Sequence, residues 1–372
     1  MTQKKSMYRV QEIDEKWNEQ MLSIVERSPI EAGGLQIVFD RRPDIFFLPR
    51  IRSKKFRCAG FFVRDRLGGF AMMLEKELFV KGTPQTVLYF GNLVVAPFAR
   101  RKGFFYRLSD FFLKDLPENI RFGYAVILRG NENAKRLLNR FHPRYPNMPH
   151  SRIIGRWRVK NIILARSFCR KSKYTVRHAR MEDIGAMARL LGNEYKTRLF
   201  GPVVTPETIL ENLKIWPDFS IDNYYVAEAH GEIVGVCCAW DMAPVKKNRV
   251  LSYGRQFAWK RALIHFSAPF FHYPKLPANG EPFREVTITD YAVRDRNPDI
   301  LQALLLKIFR EYRQKRYHLL IFGFPEKDPL GVAARPFPSQ SVVSEIILFS
   351  KSQEWVDRFS DPSLPLVDML LL

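Results

Sequence analysis

Between Leu93 and Leu108 the chain reads Leu-Val-Val-Ala-Pro-Phe-Ala-Arg-Arg-Lys-Gly-Phe-Phe-Tyr-Arg-Leu. An apolar strand runs into a proline stop, a basic turn with one glycine, and then an amphipathic helix. Such a turn presents free backbone N–H groups at a helix N-terminus, where partial positive charge favours phosphate. Gly103 lets the backbone approach an anion closely and adopt dihedrals closed to other residues. Arg100, Arg101 and Lys102 add side-chain charge. Three cations at a helix start oppose the macrodipole at up to about 1 kcal/mol each, a cost that a bound polyanion would reverse. The chemistry to expect here is the holding of a phosphorylated ligand.

The run Val95-x-Pro97-x-x-Arg100-Arg101-Lys102-Gly103-x-x-x-x-Leu108 resembles the acyl-CoA-binding signature of the GNAT acyltransferase superfamily, whose core is R/Q-x-x-G-x-G/A. Arg100, Gly103 and Phe105 stand at its defining positions. Downstream, Asn131-x-x-Ala134-x-x-Leu137 is similar to the family's N-x-x-A-x-x-L segment. The motifs cover residues 6–166; residues 174–350 match only in element order.

The resemblance implies an acyl-CoA, acetyl-CoA or a longer one, as co-substrate. Its pyrophosphate would be held by the backbone of 100–105, including Phe104, and its pantetheine would run along Leu93, Val94 and Val95. Asn131 and Ala134 complete the implied cofactor-binding set. The thioester would sit where this strand and Arg121–Leu128 splay apart, and an amine would attack it directly, with no metal. The enzyme would position both groups, deprotonate the ammonium and stabilise the oxyanion. The family's base usually comes from the strand entering the signature, which makes Tyr89 and Asn92 the candidate catalytic residues; Glu75 and Glu77 lie on the strand before. Two positions depart from the pattern. Phe105 replaces a glycine or alanine, where it would either crowd the phosphate or point into the core. Leu138 stands where the family often has a tyrosine acid.

Strand-like runs at Arg57–Arg64, Gly69–Val80 and Thr86–Val95, separated by short turns, make a meander that leads into the signature. Apolar residues at 104, 105, 108, 111, 112 and 116 have helical spacing. Arg121–Leu128 reads as a strand, Asn133–Phe141 as a helix and Ile153–Leu164 as a strand. Residues 28–55 are mixed. After a linker at 167–173 the order restarts: strand 174–177, helices 181–195 and 205–213, hairpin 224–240, strand 285–293, helix 298–312, and strands 318–324 and 341–349. The expected architecture is a mixed α/β chain of two tandem GNAT-like domains, 1–168 and 169–372, each a twisted mixed sheet flanked by helices. The second copy lacks the signature: Arg294-Asp-Arg-Asn-Pro298-Asp follows its strand. Without a glycine, and with Asp295 and Asp299 repelling phosphate, it is expected to bind no acyl-CoA. Asp290 and Asp241 could orient an amine, although Asp290 reads more simply as a helix cap.

The chain has 372 residues and a net charge of +22, with 46% hydrophobic and 13% aromatic residues. These values exclude disorder, collagen and coiled coil. Residues 1–172 carry 34 basic and 15 acidic residues, so nearly all the excess lies in the first half. From Asn133 to Met181 there are 14 Lys or Arg and no acid. Such a field attracts anions. It leaves open an acidic acyl carrier protein as donor, an anionic membrane surface, or nucleic acid stacked on Tyr145, Trp157 and Phe168, the last disfavoured because no nucleic-acid motif is present. The four cysteines form no C-x-x-C pair, and with no apolar leader or membrane-length run a reducing, cytoplasmic setting is expected. The apolar tail from Leu364 could help the basic face onto an anionic membrane, although a tail of this kind more simply docks on its own domain. The function expected is N-acyl, in particular N-acetyl, transfer from acyl-CoA to an amine of open identity. The alternatives are a carrier-protein donor or a non-catalytic anion-binding protein.

Overall fold

The computed structural model describes residues 7–32, 34–117, 120–138, 145, 147–165, 172–255, 261–262, 265–266 and 274–372. The first half contains β1 (Tyr8–Glu12), α1 (Asn18–Glu26), β2 (Ile30–Ala32), β3 (Leu35–Asp40), α2 (Phe47–Arg52) and β4 (Lys55–Val63). It continues through β5 (Arg66–Val80), β6 (Thr83–Val95), α3 (Phe104–Lys114), β7 (Gly123–Leu128), α4 (Glu132–Leu138) and β8 (His150–Ile163). The second half contains β9 (Thr175–His178), α5 (Ile184–Lys196), β10 (Gly201–Pro202), α6 (Pro206–Ile215), β11 (Tyr224–Ala229) and β12 (Glu232–Trp240). Then follow β13 (Lys247–Tyr253), β14 (Glu285–Val293), α7 (Pro298–Gln314), β15 (Leu319–Pro325), β16 (Ser339–Ser350) and α8 (Gln353–Arg358).

Thirteen of these strands form one mixed sheet in the order β1-β4-β5-β6-β7-β16-β8-β15-β14-β12-β11-β9, with β10 paired to β5. Each half contains an antiparallel run followed by a helical crossover to a parallel partner, β6-α3-β7 and β14-α7-β15. The halves interlock. β16, from the end of the chain, lies between β7 and β8, and β8 pairs on its other side with β15. β5 is buried almost throughout because helices cover both of its faces. On one face, α3 packs Leu108 and Phe112 over Phe61, Ala71 and Leu88. On the other, α1 contributes Met21 and Leu22 to a cluster that includes Met72, Tyr89 and Trp240.

The stretch expected to be mixed, 28–55, holds β2, β3 and α2. β3 pairs with β13 of the second half in a separate three-stranded sheet. Six residues of β3 before a proline-broken stretch give too little alternation to read, and its partner lies about 200 residues away. The tail buries Val367, Met369, Leu370 and Leu371, but not on its own half alone: Arg52, Lys76, Tyr89 and Trp157 of the first half bond to it as well as Leu199 and Lys246 of the second. Trp157 lies in the core at 1% exposure, so it offers no face for stacking, and Phe168 lies outside the described residues.

Candidate functional site

β5 and β6 pair through Met72↔Gly91 and resume at Phe70↔Val94. Asn92 and Leu93 therefore oppose Ala71 alone, which makes a bulge on β6, and Asn92 sits at φ 53°. A bulge bends its strand and raises the local twist. Beyond it β6 leaves its other neighbour: the parallel ladder to β7 covers only Leu88–Phe90 against Gly123–Ala125. The two strands splay just before the basic turn. Leu93 on one side and Leu128 on the other keep about 40% of their surface exposed, at 40% and 39%.

The turn itself is built by strained backbone. Pro97–Ala99 form one tight helical turn, Arg101 stands at φ 61°, and Gly103 at φ 73° caps α3 without a side-chain hydrogen bond. Positive φ is cheap for glycine and costs other residues roughly 1 kcal/mol or more. A Cβ on Gly103 would meet only Arg107 Nε, at 3.8 Å. The turn therefore faces open space, with Arg100 and Arg101 exposed and Lys102 half-buried.

Neither phenylalanine of the turn points that way. Phe104 packs edge-on against Phe61, with ring centroids 5.5 Å apart, and lies over Gly69. Phe105 is buried with Met148 and Ile347. Of the two orientations open to Phe105, the structure has the inward one. Asn131 Oδ1 accepts from Ala134 N at 3.2 Å, so Asn131 caps α4. The side chain of Leu138 lies outside the described residues.

On the face away from α3, Tyr89 is buried and its hydroxyl donates to the Leu371 backbone oxygen at 3.3 Å. Burial pushes this phenol well above its ordinary range, so it serves as a hydrogen-bond donor, not as a base at neutral pH. Asn92 Nδ2 reaches Met72 Sδ at 3.2 Å. Glu75 is ion-paired with Lys55 at 2.9 Å, and Glu77 is exposed.

The structure places a polar cluster on this face, and of its members sequence reasoning named Asp290 but missed Arg52, Lys76 and Asp368. Asp368, from the tail, accepts from Arg52 Nε at 2.8 Å and Lys76 Nζ at 2.5 Å. Asp290 accepts from the Tyr195 hydroxyl at 2.9 Å, and burial raises its carboxyl above the usual range. It lies within β14 and caps no helix; Asn297 caps α7. Asp241 has its own partner, the Tyr317 hydroxyl at 2.5 Å. Arg41 is buried, and Lys246 donates to the Leu372 backbone oxygen. The one available signal was Asp368, a lone acid within an apolar tail. Among the described residues no three His, Cys, Asp or Glu side chains gather as metal ligands.

The second half differs at the corresponding turn. Asn297 Oδ1 accepts from Asp299 N at 2.9 Å and Pro298 occupies the first helical position, so α7 closes its own start.

No protein-family model matches the sequence, and no curated protein matches it. Solved structures do. N-myristoyltransferase of Saccharomyces cerevisiae with bound myristoyl-CoA superposes with a TM-score of 0.58 at 13% identity, over 92% of this chain and 83% of that one. A probable N-acyltransferase of unknown function from Enterococcus faecalis gives 0.53 at 10% identity, over 95% and 75%. An N-acetyltransferase from Sphaerobacter thermophilus gives 0.52 at 14% identity, over 83% and 82%. The likeness covers most of the chain and so spans both halves. The fold of this chain is that of the GNAT acyltransferase superfamily.

Proposed function

We propose that this protein is an N-acyltransferase that moves an acyl group from acyl-CoA to an amine, with its working site in the first half. The observation that carries this reading is the bulged β6 parting from β7 immediately before the Gly103 turn. A pantetheine arm can lie in that opening and pair with the free strand edge, as an added strand would. Its pyrophosphate then reaches the uncapped start of α3, where backbone N–H groups and Arg100–Lys102 meet the charge. The inward packing of Phe104 and Phe105 leaves that start unobstructed.

In the reaction the amine nitrogen attacks the thioester carbonyl. The C–N bond forms, the C–S bond breaks, and the thiolate leaves with coenzyme A. The ammonium gives up one proton before attack and the amine another on collapse. Acyl-CoA is preferred to an acyl carrier protein as donor because the basic stretch is partly neutralised within the chain. Arg156 and Arg158 both pair with Glu326, at 3.5 and 2.5 Å. The self-capped turn of the second half supports the reading that this half holds no acyl-CoA.

Calorimetric titration of acetyl-CoA and of myristoyl-CoA into wild type and Gly103→Glu tests the proposal. Wild type should bind at least one of them, and the variant should bind at least about tenfold more weakly, a loss of about 1.4 kcal/mol. Absence of binding to wild type, or equal binding by a folded variant, overturns it.

A further inference from the structure

Arg41 is 6% exposed, and its Nη1 has no hydrogen-bond partner. A buried charge carries a large desolvation penalty unless it is paired. The acids of this region have other partners, Glu285 among them, which accepts from Asn248 Nδ2 at 2.7 Å. Asp40 pairs with Arg42 and Arg249, and Glu26 pairs with the same two arginines. Asp368 belongs to Arg52 and Lys76.

Side chains of β6 alternate across the sheet: Leu88 and Phe90 face α3, and Tyr89 faces the other way. The tail covers Tyr89 on that other face, opposite the turn that suits a pyrophosphate: the Tyr89 hydroxyl donates to the Leu371 oxygen, and Lys246 donates to the Leu372 oxygen. Lys246 continues the β3–β13 register at Lys247↔Asp40 and so stands beside Arg41. Its ammonium, lowered to about 7 by burial and by Arg41, adds a second polar group to the same corner.

Building on the proposed function, we propose that Arg41 receives the carboxylate of the acyl acceptor, which makes the acceptor an amino acid or a similar compound carrying a carboxylate beside its amine. A guanidinium offers two parallel N–H donors that match a carboxylate, and burial makes the match exacting. Such a site rejects an analogue that lacks the group, because its own polar atoms are then left unpaired.

Thermal melting with N-acetyl derivatives of the common amino acids, and with their carboxamides, tests this without requiring turnover. One or more carboxylates should raise the Tm of wild type while the matching carboxamide does not. Arg41→Gln and Arg41→Lys should both lose the shift, the second because it keeps the charge and loses the planar fork. If no carboxylate shifts wild type, if carboxamides shift it equally, or if either variant keeps the shift, the proposal is overturned. Turnover separates this outcome from failure of the acyltransfer reading. Thiol release from acyl-CoA should favour amino acids over the corresponding carboxylate-free amines by about a hundredfold in kcat/KM. Release with neutral amines and no such preference would leave the acyltransferase standing and remove the carboxylate site.

Discussion

The Tyr89 hydroxyl donates to the backbone oxygen of Leu371, 282 residues further along the chain, at 3.3 Å. A strand residue entering the basic turn is thus tied to the tail that closes the opposite face. Tyr89→Phe removes the donor and leaves a buried carbonyl unsatisfied, which should cost about 1–2 kcal/mol in urea unfolding. Because burial holds the phenol protonated, the neutral limb of the pH–rate profile should be unchanged in the variant. A displaced limb would show that Tyr89 titrates during turnover.

Asp368 couples the tail to Arg52 and Lys76. Burial pushes its carboxyl up, but the two cations outweigh that and hold it well below the usual carboxylate range. The folded value lies below the unfolded one, about 3.9. The resulting stability is complete above that value and is lost as pH falls through the folded one. Asp368→Asn strands two buried cations and should cost about 3–5 kcal/mol at neutral pH. The gap between wild type and variant should narrow in strong acid; a gap independent of pH would contradict the ion triad.

Gly69 makes room for the basic turn. A Cβ there would stand 2.4 Å from Phe104 Cε2 and 2.6 Å from the Val94 oxygen. The second neighbour is backbone and cannot swing aside. Gly69→Ala should cost about 1–3 kcal/mol, and it should weaken acyl-CoA binding because both contacts lie in the segment proposed to hold it. Gly231→Ala, at φ 78° with nothing near its Cβ, is the control for conformational cost alone, about 1 kcal/mol or less. Chemical denaturation and calorimetry on both variants check this.

Phe105 packs against Ile347 of β16 and Met148, which precedes β8. Its removal opens a cavity at the seam where the two halves exchange strands. Phe105→Ala should lose about 3–5 kcal/mol in denaturant unfolding. A loss below about 1 kcal/mol would mean that the site collapses and that Phe105 anchors little.

The basic turn was legible in the chain itself. The strand ending at Val95, the Pro97 stop, Gly103 and the apolar spacing of α3 lie within about twenty consecutive residues, and each acts through local backbone and side-chain preferences. The repeated order of elements in the two halves was legible for the same reason. The inward turn of Phe105, the insertion of β16 between β7 and β8, and the β3–β13 sheet were not, because strand pairing is chosen by contacts between distant segments that no local period encodes. The charges of the opposite face were hidden for a related reason. Arg41, Lys76 and Asp368 have the composition of surface residues, and only tertiary packing removed them from water. Asp368 found two cations there, and Arg41 was left with its Nη1 unpaired. Local chemistry thus determined the basic turn, whereas burial, a property of the assembled fold, decided which charged side chains lie inside the protein.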